Sequence, residues 1–380
     1  MKPFRALSSL IIASAAGSFA PLTSTAQPAV EPTPFILASG LQGPRGLRFG
    51  PDGYLYVAEA GTGGTNSTAG QCTQVPSPPG PWTGGPNARI SKISSNGTRT
   101  TVASGFPSTF SIAGGTIGVA DVVFLDGELY AVVSGGGCSH GNPKSPSGIA
   151  KVDLKNGSWH LIADIGAWLK THPAKYVAAD DFEPDGTLYS AIAVDGRLLT
   201  VEPNHGQVIS VTKSGVIRQE IDISASEGHI VPTSIAARDR SLFVGNLNLF
   251  PIDPQWARIL TISKAGEQDD SEDSPPGLEP ARGNHIVSSK AGFTTVVAVD
   301  FGPDGLLYVL ELSDQAGFPT PGFGKVVRVQ RSGKIEDIVT GLSVPTGMTF
   351  GPDGRLYVSN LGAAPAGAGQ ILRFDIPLGW

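Results

Sequence analysis

One apolar pattern recurs along the chain: a short apolar run, a turn containing Asp-Gly, and a second apolar run. Three copies are nearly identical, Phe49–Val57, Phe301–Val309 and Phe350–Val358. In these copies proline presets φ at the first corner of the turn, aspartate can bond its own backbone, and glycine takes the positive-φ position. Each copy therefore predicts a β-hairpin with both strands largely buried. The weaker copies are Phe182–Tyr189, Phe124–Tyr130 and Ala237–Val244.

A third apolar strand follows every hairpin, and in five repeats a glycine turn and a fourth strand come next. No fourth strand follows in the sixth repeat. The N-terminal segment Phe35–Leu41 has the pattern of the fourth strands and precedes the first hairpin. We expect it to complete the last sheet. The sequence thus predicts an all-β, six-bladed β-propeller of four-stranded antiparallel blades whose last blade is closed by the N-terminal strand.

Residues 1–26 have the three parts of a secretory signal peptide. Lys2 and Arg5 form the charged start, Ala6–Ala20 is an apolar run, and Ser24–Ala26 offers small residues for cleavage. The apolar run is interrupted by serines and is shorter than a bilayer requires, which disfavours a membrane anchor. We expect a signal peptide at 1–26, a linker at 27–34 and one propeller domain at 35–380. The location is then periplasmic or extracellular, with no transmembrane segment after cleavage.

Composition supports many short strands joined by turns, because the chain has 50 glycines, 31 prolines and only 16% charged residues. The formal net charge of −6, without a cluster of lysines or arginines, argues against nucleic acid as a partner. We expect a monomer. The two cysteines, Cys72 and Cys138, fall in corresponding loops of neighbouring blades. An exported protein favours a disulfide between them, and the alternative is two unpaired thiols.

Four strings carry a further resemblance: Gly43–Gly61, Pro203–Gly206, His229–Thr233 and Val244–Leu247, of which the last three are more specific than the blade repeat itself. They resemble the ScyD/ScyE family, exported propellers related to NHL-repeat proteins, some of which are encoded beside scytonemin biosynthesis genes. The resemblance spans nearly the whole mature chain and implies an exported propeller. It implies no reaction, because the family has none established. An acidic insertion at residues 267–282 and the loop at 62–86 depart from the shorter family pattern.

The blade topology gathers the long loops on one face, opposite the Asp-Gly turns. This long-loop face contains residues 60–88, 135–147, 247–256 and 313–323. A short helix is predicted at Ile165–Lys170 in another connection on the same face. Long loops on a rigid scaffold commonly carry recognition, so we place the candidate site on this face.

Two rings of residues point toward the long-loop face. The entrances of the innermost strands carry Arg45, Ala120, Ala178, Thr233, Val297 and Thr346, and the exits of the second strands carry Glu59, Val133, Ile192, Asn246, Glu311 and Asn360. The acidic and amide residues of the exit ring are candidate ligands for a small molecule or a divalent metal ion. The alternative, which we favour, is that they cap backbone amides of the loops, because such residues recur in four blades. Asp121 lies one residue from the entrance ring.

Histidines form a second group of candidates. His205 and His229 lie in or beside loops of adjacent blades, near Asn204. Metal binding or general-base chemistry is one interpretation, and hydrogen bonding between loops is the other. The second is favoured because the histidines lack the close spacing of metal ligands.

Two functions follow from these observations. The first is an exported binding module that recognises a small molecule, a glycan or a protein on the long-loop face, since the chain lacks the common catalytic motifs. The alternative is a metal-assisted hydrolase or lactonase at the mouth of the central channel, with a divalent ion as cofactor. The candidate ligand-binding residues are Arg45, Glu59, Asp121, Asn204, His205, His229, Asn246, Glu311 and Asn360.

Overall fold

The computed structural model describes residues 32–111, 115–263 and 284–379. The expected signal peptide and the acidic insertion lie outside the described residues. Strand β1 (Phe35–Leu41) comes first along the chain. The first blade then contains, in chain order, β2 (Pro44–Phe49), β3 (Leu55–Glu59), the two-residue β4 (Asn66–Ser67), β5 (Thr83–Ile93), β6 (Arg99–Ser111) and β7 (Gly115–Ile117).

The next three blades are four-stranded antiparallel sheets. Blade two contains β8 (Val119–Leu125), β9 (Glu128–Val133), β10 (Gly148–Val152) and β11 (Trp159–Asp164). Blade three contains β12 (Ala191–Val194), β13 (Arg197–Glu202), β14 (Gln207–Thr212) and β15 (Ile217–Asp222). Blade four contains β16 (Pro232–Arg238), β17 (Ser241–Asn246), β18 (Ala257–Ser263) and β19 (His285–Phe293).

The last two blades complete the ring. Blade five contains β20 (Val296–Phe301), β21 (Leu307–Glu311), β22 (Gly324–Val329) and β23 (Ile335–Leu342). Blade six contains β24 (Gly347–Phe350), β25 (Leu356–Asn360) and β26 (Gly369–Phe374), with β1 as its outer strand. Phe35 lies opposite Arg373 and Ala38 opposite Ile371. The innermost strands β2, β8, β12, β16, β20 and β24 contact one another in cyclic order. The predicted six-bladed propeller and its closure by the N-terminal strand are confirmed.

The Asp-Gly turns have a hydrogen-bond pattern that the sequence only half reveals. Asp304 Oδ1 accepts the amide of Leu306 at 3.1 Å, as expected for an aspartate that bonds its own turn. Asp304 Oδ2 also accepts the hydroxyl of Tyr308 at 2.9 Å. The same tyrosine-to-aspartate bond, at 2.9 Å, occurs at the turns of blades one and six, between Tyr56 and Asp52 and between Tyr357 and Asp353.

Those tyrosines also join neighbouring blades. The ring of Tyr308 packs edge-on against Phe350 of blade six, with 4.9 Å between centroids, and Tyr357 packs in the same way against Phe49 of blade one at 5.0 Å. Each phenylalanine begins the turn motif of the next blade. A Cβ at Gly302 would lie 2.4 Å from the Tyr308 ring, so the motif requires glycine at this position. Edge-to-face pairs of this kind stabilise by about 0.5–1.5 kcal/mol beyond the area they bury.

The third hairpin differs from the prediction. Phe182–Tyr189 matches the turn motif in sequence but contains no strand, and the hairpin is formed by β12 and β13 around Asp195 and Gly196. Asp195 and Gly196 both have positive φ. The residues at the two ring positions of blade three are therefore not Ala178 and Ile192. Glu202 occupies the exit position, as the last residue of the second strand.

Two short helices follow the last strands of blades two and three. Helix α1 (Ile165–Thr171) confirms the predicted helix, and its N-cap Asp164 accepts the amide of Ala167 at 2.8 Å. Helix α2 (Ser224–Glu227) follows β15, and Cys138–His140 forms a 3₁₀ turn. Among the helices in the described residues, none combines the length and apolar character needed to cross a bilayer.

We predict that Tyr308→Phe lowers the free energy of unfolding by about 1 kcal/mol, because it removes the hydroxyl that Asp304 accepts inside the protein while keeping the ring. Urea denaturation followed by fluorescence measures the effect. Tyr176→Phe is the matched control, since the Tyr176 side chain is exposed and forms no part of a turn motif. Equal stability of the two variants would contradict the structural role given to the hydroxyl.

Candidate functional site

The acidic and amide residues at the ends of the second strands are bonded to backbone amides. Glu59 accepts a 2.7 Å hydrogen bond from the amide of Gln42, the residue after β1. The amide of Thr294, the residue after β19, donates to Glu311 at 2.8 Å. The amide of Ser343, the residue after β23, donates to Asn360 at 2.8 Å. These donors lie in blade connections, outside the strands and partly or fully buried, so a side-chain acceptor satisfies them.

Glu59 and Glu311 differ in charge environment although they occupy equivalent positions. Burial alone would raise the pKa of Glu59, but the hydrogen bonds from Arg89, Gln42 and Ser91 outweigh it and lower the pKa. Arg89 binds Glu59 in a two-pronged manner, at 3.0 and 2.8 Å. At Glu311 burial prevails and the pKa is raised.

The exit ring does not fit a hard divalent cation. Asn246 Oδ1 accepts the amide of Arg258 at 2.8 Å, and Glu59, Glu311 and Asn360 accept the amides described above. A cation such as Ca²⁺ needs several oxygens that converge on one point. Within residues 32–111, 115–263 and 284–379, no group of three or more His, Cys, Asp or Glu side chains is arranged to hold a metal ion.

The central channel contains a small charged cluster. Arg48 lies 3.7 Å from the carboxylate of Asp300, and Asp121 accepts the amide of Ala191 at 2.9 Å. Complete burial raises the pKa of Asp121 to about 6, and Arg48 opposes the shift. The cavity beside these residues measures about 30 Å³, which accommodates water but no organic ligand. At the entrance, Arg45 donates to the carbonyl of Thr116 at 2.5 Å.

A much larger cavity, of about 400 Å³, opens among the loops of blades one, two and three. It shares no lining residue with the channel cavity. We call it the disulfide cleft, because both cysteines line it. Its other lining residues come from the blade-one loop, α1, the connection between α1 and β12, and the turn after β13, and they include Lys170, Val177, Phe182, Asp185 and His205. Most of its surface is apolar, as is usual for small-molecule sites.

The wall formed by the first two blades is covalently joined. Cys72 and Cys138 form a disulfide across 66 residues of sequence, which confirms the predicted pairing. The hydroxyl of Thr68 donates to the carbonyl of Cys138. Asn142 donates to the carbonyls of Gly135 and Ser108, at 2.8 and 3.0 Å. These bonds fix the two loops relative to each other.

Asp185 anchors the connection that forms the opposite wall. One of its oxygens accepts both the amide and the hydroxyl of Ser139 at 2.7 Å, and the other accepts the ammonium group of Lys170 at 2.7 Å. Burial would raise the pKa of Asp185, but Lys170 and Ser139 together lower it. Glu183, two residues earlier, accepts a 3.0 Å bond from buried His140.

The lining of the cleft includes a histidine, His205, that is oriented by a carboxylate. Nδ1 of His205 lies 2.9 Å from Glu202, whose same oxygen accepts the amide of His205, while its other oxygen accepts the amide of Thr187 at 2.8 Å. Burial would lower the pKa of His205, but the charge of Glu202 and its hydrogen bond raise it overall. The imidazole packs edge-on against Phe182, with 5.2 Å between ring centroids.

The remaining predicted residues lie around Asp181, at the start of the same connection. His229 Nε2 lies 2.7 Å from the Asp181 carboxylate, and Asn204 donates to the Asp181 carbonyl at 2.9 Å. Asp181 thus joins elements that precede the third and fourth blades. The structure brings together Asn204, His205 and His229. Asp121 lies in the channel against Gly46, the residue after Arg45. Glu59, Asn246, Glu311 and Asn360 stay apart, at the ends of four different second strands.

Sequence reasoning missed three residues of this region: Glu202, Lys170 and Asp185. Glu202 was hidden by the wrong assignment of the third hairpin. The signal that reveals it is the string Val194–Arg197, whose Asp-Gly pair matches Leu125–Glu128 of blade two. Lys170 and Asp185 carry no local signal, because their ion pair depends on how α1 packs against a distant loop.

Solved structures of several other proteins are similar to this fold. A gluconolactonase from Xanthomonas campestris superposes with a TM-score of 0.52 at 10% identity, covering 91% of this chain and 90% of that one. The PQQ-bound aldose sugar dehydrogenase from Streptomyces coelicolor gives a TM-score of 0.51 at 12% identity, covering 92% and 100%. An oxidoreductase (glucose dehydrogenase) from Thermus thermophilus gives 0.53 at 16% identity, covering 90% and 100%.

The shared property is the propeller fold. Identities of 10–16% show a shared fold and do not show a shared activity. No protein-family model matches the sequence, and no curated protein matches it.

We predict that Asp185→Asn lowers the free energy of unfolding by about 1–2 kcal/mol at pH 7, because the amide cannot pair with Lys170. The lowered pKa of Asp185 means that its contribution is complete above the unfolded pKa, about 3.9, and is lost as pH falls through the folded value. The difference between wild type and variant, measured by urea denaturation, therefore shrinks between pH 5 and pH 2.

Asp126→Asn is the control for this experiment. Asp126 also pairs with a lysine, Lys213, at 2.8 Å, but both side chains are largely exposed. Its positive φ suits asparagine, so the exchange introduces no backbone strain. We expect an effect below about 0.5 kcal/mol. A difference for Asp185→Asn that stays constant with pH would show that its carboxylate charge is not the cause.

Proposed function

We propose that the protein is an exported, non-catalytic binding module that holds a small, mainly apolar molecule in the disulfide cleft. The observation that carries this proposal is the cleft itself: a cavity of about 400 Å³ on the long-loop face, with apolar walls and a few fixed polar groups. The central channel is too narrow for such a molecule.

The construction of the walls supports binding. The Cys72–Cys138 disulfide joins one side, and the bonds of Asp185 to Ser139 and Lys170 hold the other. A cavity that is held open in the free protein avoids part of the ordering cost of binding. Val177 is 41% exposed at this site, although it belongs to an otherwise folded connection. An apolar ligand would cover it.

Export, membership of the ScyD/ScyE family and the monomeric state are parts of the same proposal. The N-terminal sequence pattern and the disulfide support export, because disulfides persist in oxidising compartments. The strings Pro203–Gly206 and His229–Thr233, on which the family resemblance partly depends, both lie beside the cleft region, at His205 and at the Asp181 contact.

N-phenyl-1-naphthylamine, a neutral fluorescent probe, tests the proposal. We expect saturable binding with one site per chain, and at least a tenfold weaker affinity for Val177→Trp, since the indole would fill the cleft. Val287→Trp places the same residue on an exposed outer strand and is the matched control. A fluorescence titration measures both affinities.

Two results would overturn the assignment. Absence of saturable binding to the wild-type protein would contradict the proposed binding site. Equal affinity of wild type and Val177→Trp would place the probe elsewhere on the surface. Circular dichroism of both tryptophan variants establishes that they are folded.

A metal-assisted lactonase remains the second candidate, and the fold shared with a gluconolactonase is the observation in its favour. The capped carboxylates of the exit ring weigh against it. We predict that Ca²⁺, Zn²⁺ and Mn²⁺ leave the midpoint of thermal unfolding of chelator-treated protein unchanged. An ion bound to the folded state would raise the midpoint, and we expect no such ion to bind. A shift with any of these ions, together with turnover of a panel of lactones, would favour the enzyme.

A further inference from the structure

We infer that the disulfide cleft selects ligands that carry a carboxylate or a comparable anionic group, which His205 and Lys170 bind from two sides. This inference rests on the proposed function and specifies the chemistry of its ligand. It follows from the hydrogen-bonding state of the groups that face the cleft.

The free atom of His205 is Nε2. Nδ1 is taken by Glu202, and within the described parts of the chain Nε2 has no hydrogen-bond partner. The side chain is 4% exposed and lines the cleft. A ligand atom that reaches Nε2 therefore meets a ring nitrogen whose orientation is already set by the carboxylate behind it.

The charge of the imidazole depends on its surroundings. The carboxylates that act on it are Glu202 directly, and Glu183 and Asp222 from the adjoining connection and the end of β15. They raise the pKa of His205 against the effect of burial. Lys170 and Asp185 are the charged groups elsewhere in the cleft lining. When protonated, His205 donates from Nε2 and needs an acceptor.

The carboxylates near the cleft are already occupied. Glu202 accepts two backbone amides besides the imidazole, and Asp185 accepts two groups of Ser139 besides the ammonium group of Lys170. The carboxylate oxygens of Glu202 and Asp185 therefore bind groups of the protein itself and not a ligand. The charged groups that retain unused donors are the ring of His205, when protonated, and the ammonium of Lys170, whose side chain is 55% exposed. The cleft thus offers its positive ends to a ligand, which favours an anion over a cation.

The apolar walls determine the rest of the ligand. Phe182 and Val177 line the cleft together with Leu169, Pro173 and Pro184. They match an aromatic or alicyclic body of about two rings in a cavity of this size. The ligand class is therefore a small organic acid with an apolar body.

Three isosteric probes test this inference: 2-naphthoate, the neutral 2-naphthamide and the cationic 2-naphthylmethylammonium ion. Isothermal titration calorimetry at pH 6 should show naphthoate binding at least tenfold more tightly than naphthamide, because a charge-assisted hydrogen bond replaces a neutral one. The cation should bind most weakly. A carboxylate stays ionised above about pH 5, so the preference for naphthoate should decline as pH rises and His205 loses its proton.

Two substitutions assign the effect to its residues. His205→Gln keeps a hydrogen-bonding side chain without the charge, and it should abolish the pH dependence of the preference between pH 5.5 and pH 8. Lys170→Gln should weaken naphthoate binding several-fold at every pH in this range while leaving naphthamide unchanged. His160→Gln, on the exposed outer strand of blade two, is the control and should behave as wild type.

The outcomes separate the two proposals. Equal affinities for naphthoate and naphthamide, or a preference that His205→Gln leaves pH-dependent, would overturn the anionic ligand and leave the binding module standing. Absence of binding for all three probes would overturn both. Weaker binding that appears equally in His160→Gln would show that the substitutions act through general destabilisation and would also overturn the inference.

Discussion

The ring depends on a tyrosine that performs two tasks at once. In blades one, five and six its hydroxyl closes the Asp-Gly turn of its own hairpin, and its ring packs edge-on against the phenylalanine that begins the same motif in the next blade. Local turn geometry and packing between blades are therefore set by one side chain. Because the tyrosine of blade six packs on Phe49 of blade one, the repeat also brings the ends of the ring together, and β1 then completes the last sheet by pairing with β26.

Much of the fold could be predicted because this motif is local. Pro-Asp-Gly turns, apolar runs and the orphan strand Phe35–Leu41 are visible in sequence, and they determine the number of blades and their closure. The third hairpin was misplaced for a physical reason. Phe182–Tyr189 matches the motif in sequence but forms a loop. The true turn, at Asp195 and Gly196, joins strands without an aromatic pair of the kind seen at Tyr308, so its sequence resembles the motif less closely than the loop does.

The candidate site was less accessible to sequence reasoning. The ring positions of Glu59, Glu311 and Asn360 were found, because strand ends are predictable, and the bonds they form are those of the capping interpretation. The disulfide cleft has no sequence pattern of its own. It arises where Asp185 meets Ser139, 46 residues away, and where Lys170 reaches Asp185 from α1. Such contacts depend on how a long connection folds over three blades.

In the proposed binding module, Glu202 gives a capping position a second task. In blades one, five and six the equivalent residue accepts a backbone amide of a blade connection, and Glu202 accepts the amide of Thr187 in the same way. In blade three the next strand begins only five residues later, so the tight turn Pro203–Gly206 places His205 within reach of the second oxygen. The carboxylate that accepts this backbone amide then also orients an imidazole that lines the disulfide cleft. That cavity lies where the blade-one and blade-two loops are joined by the disulfide, so the proposed site occupies one sector of a nearly symmetric ring.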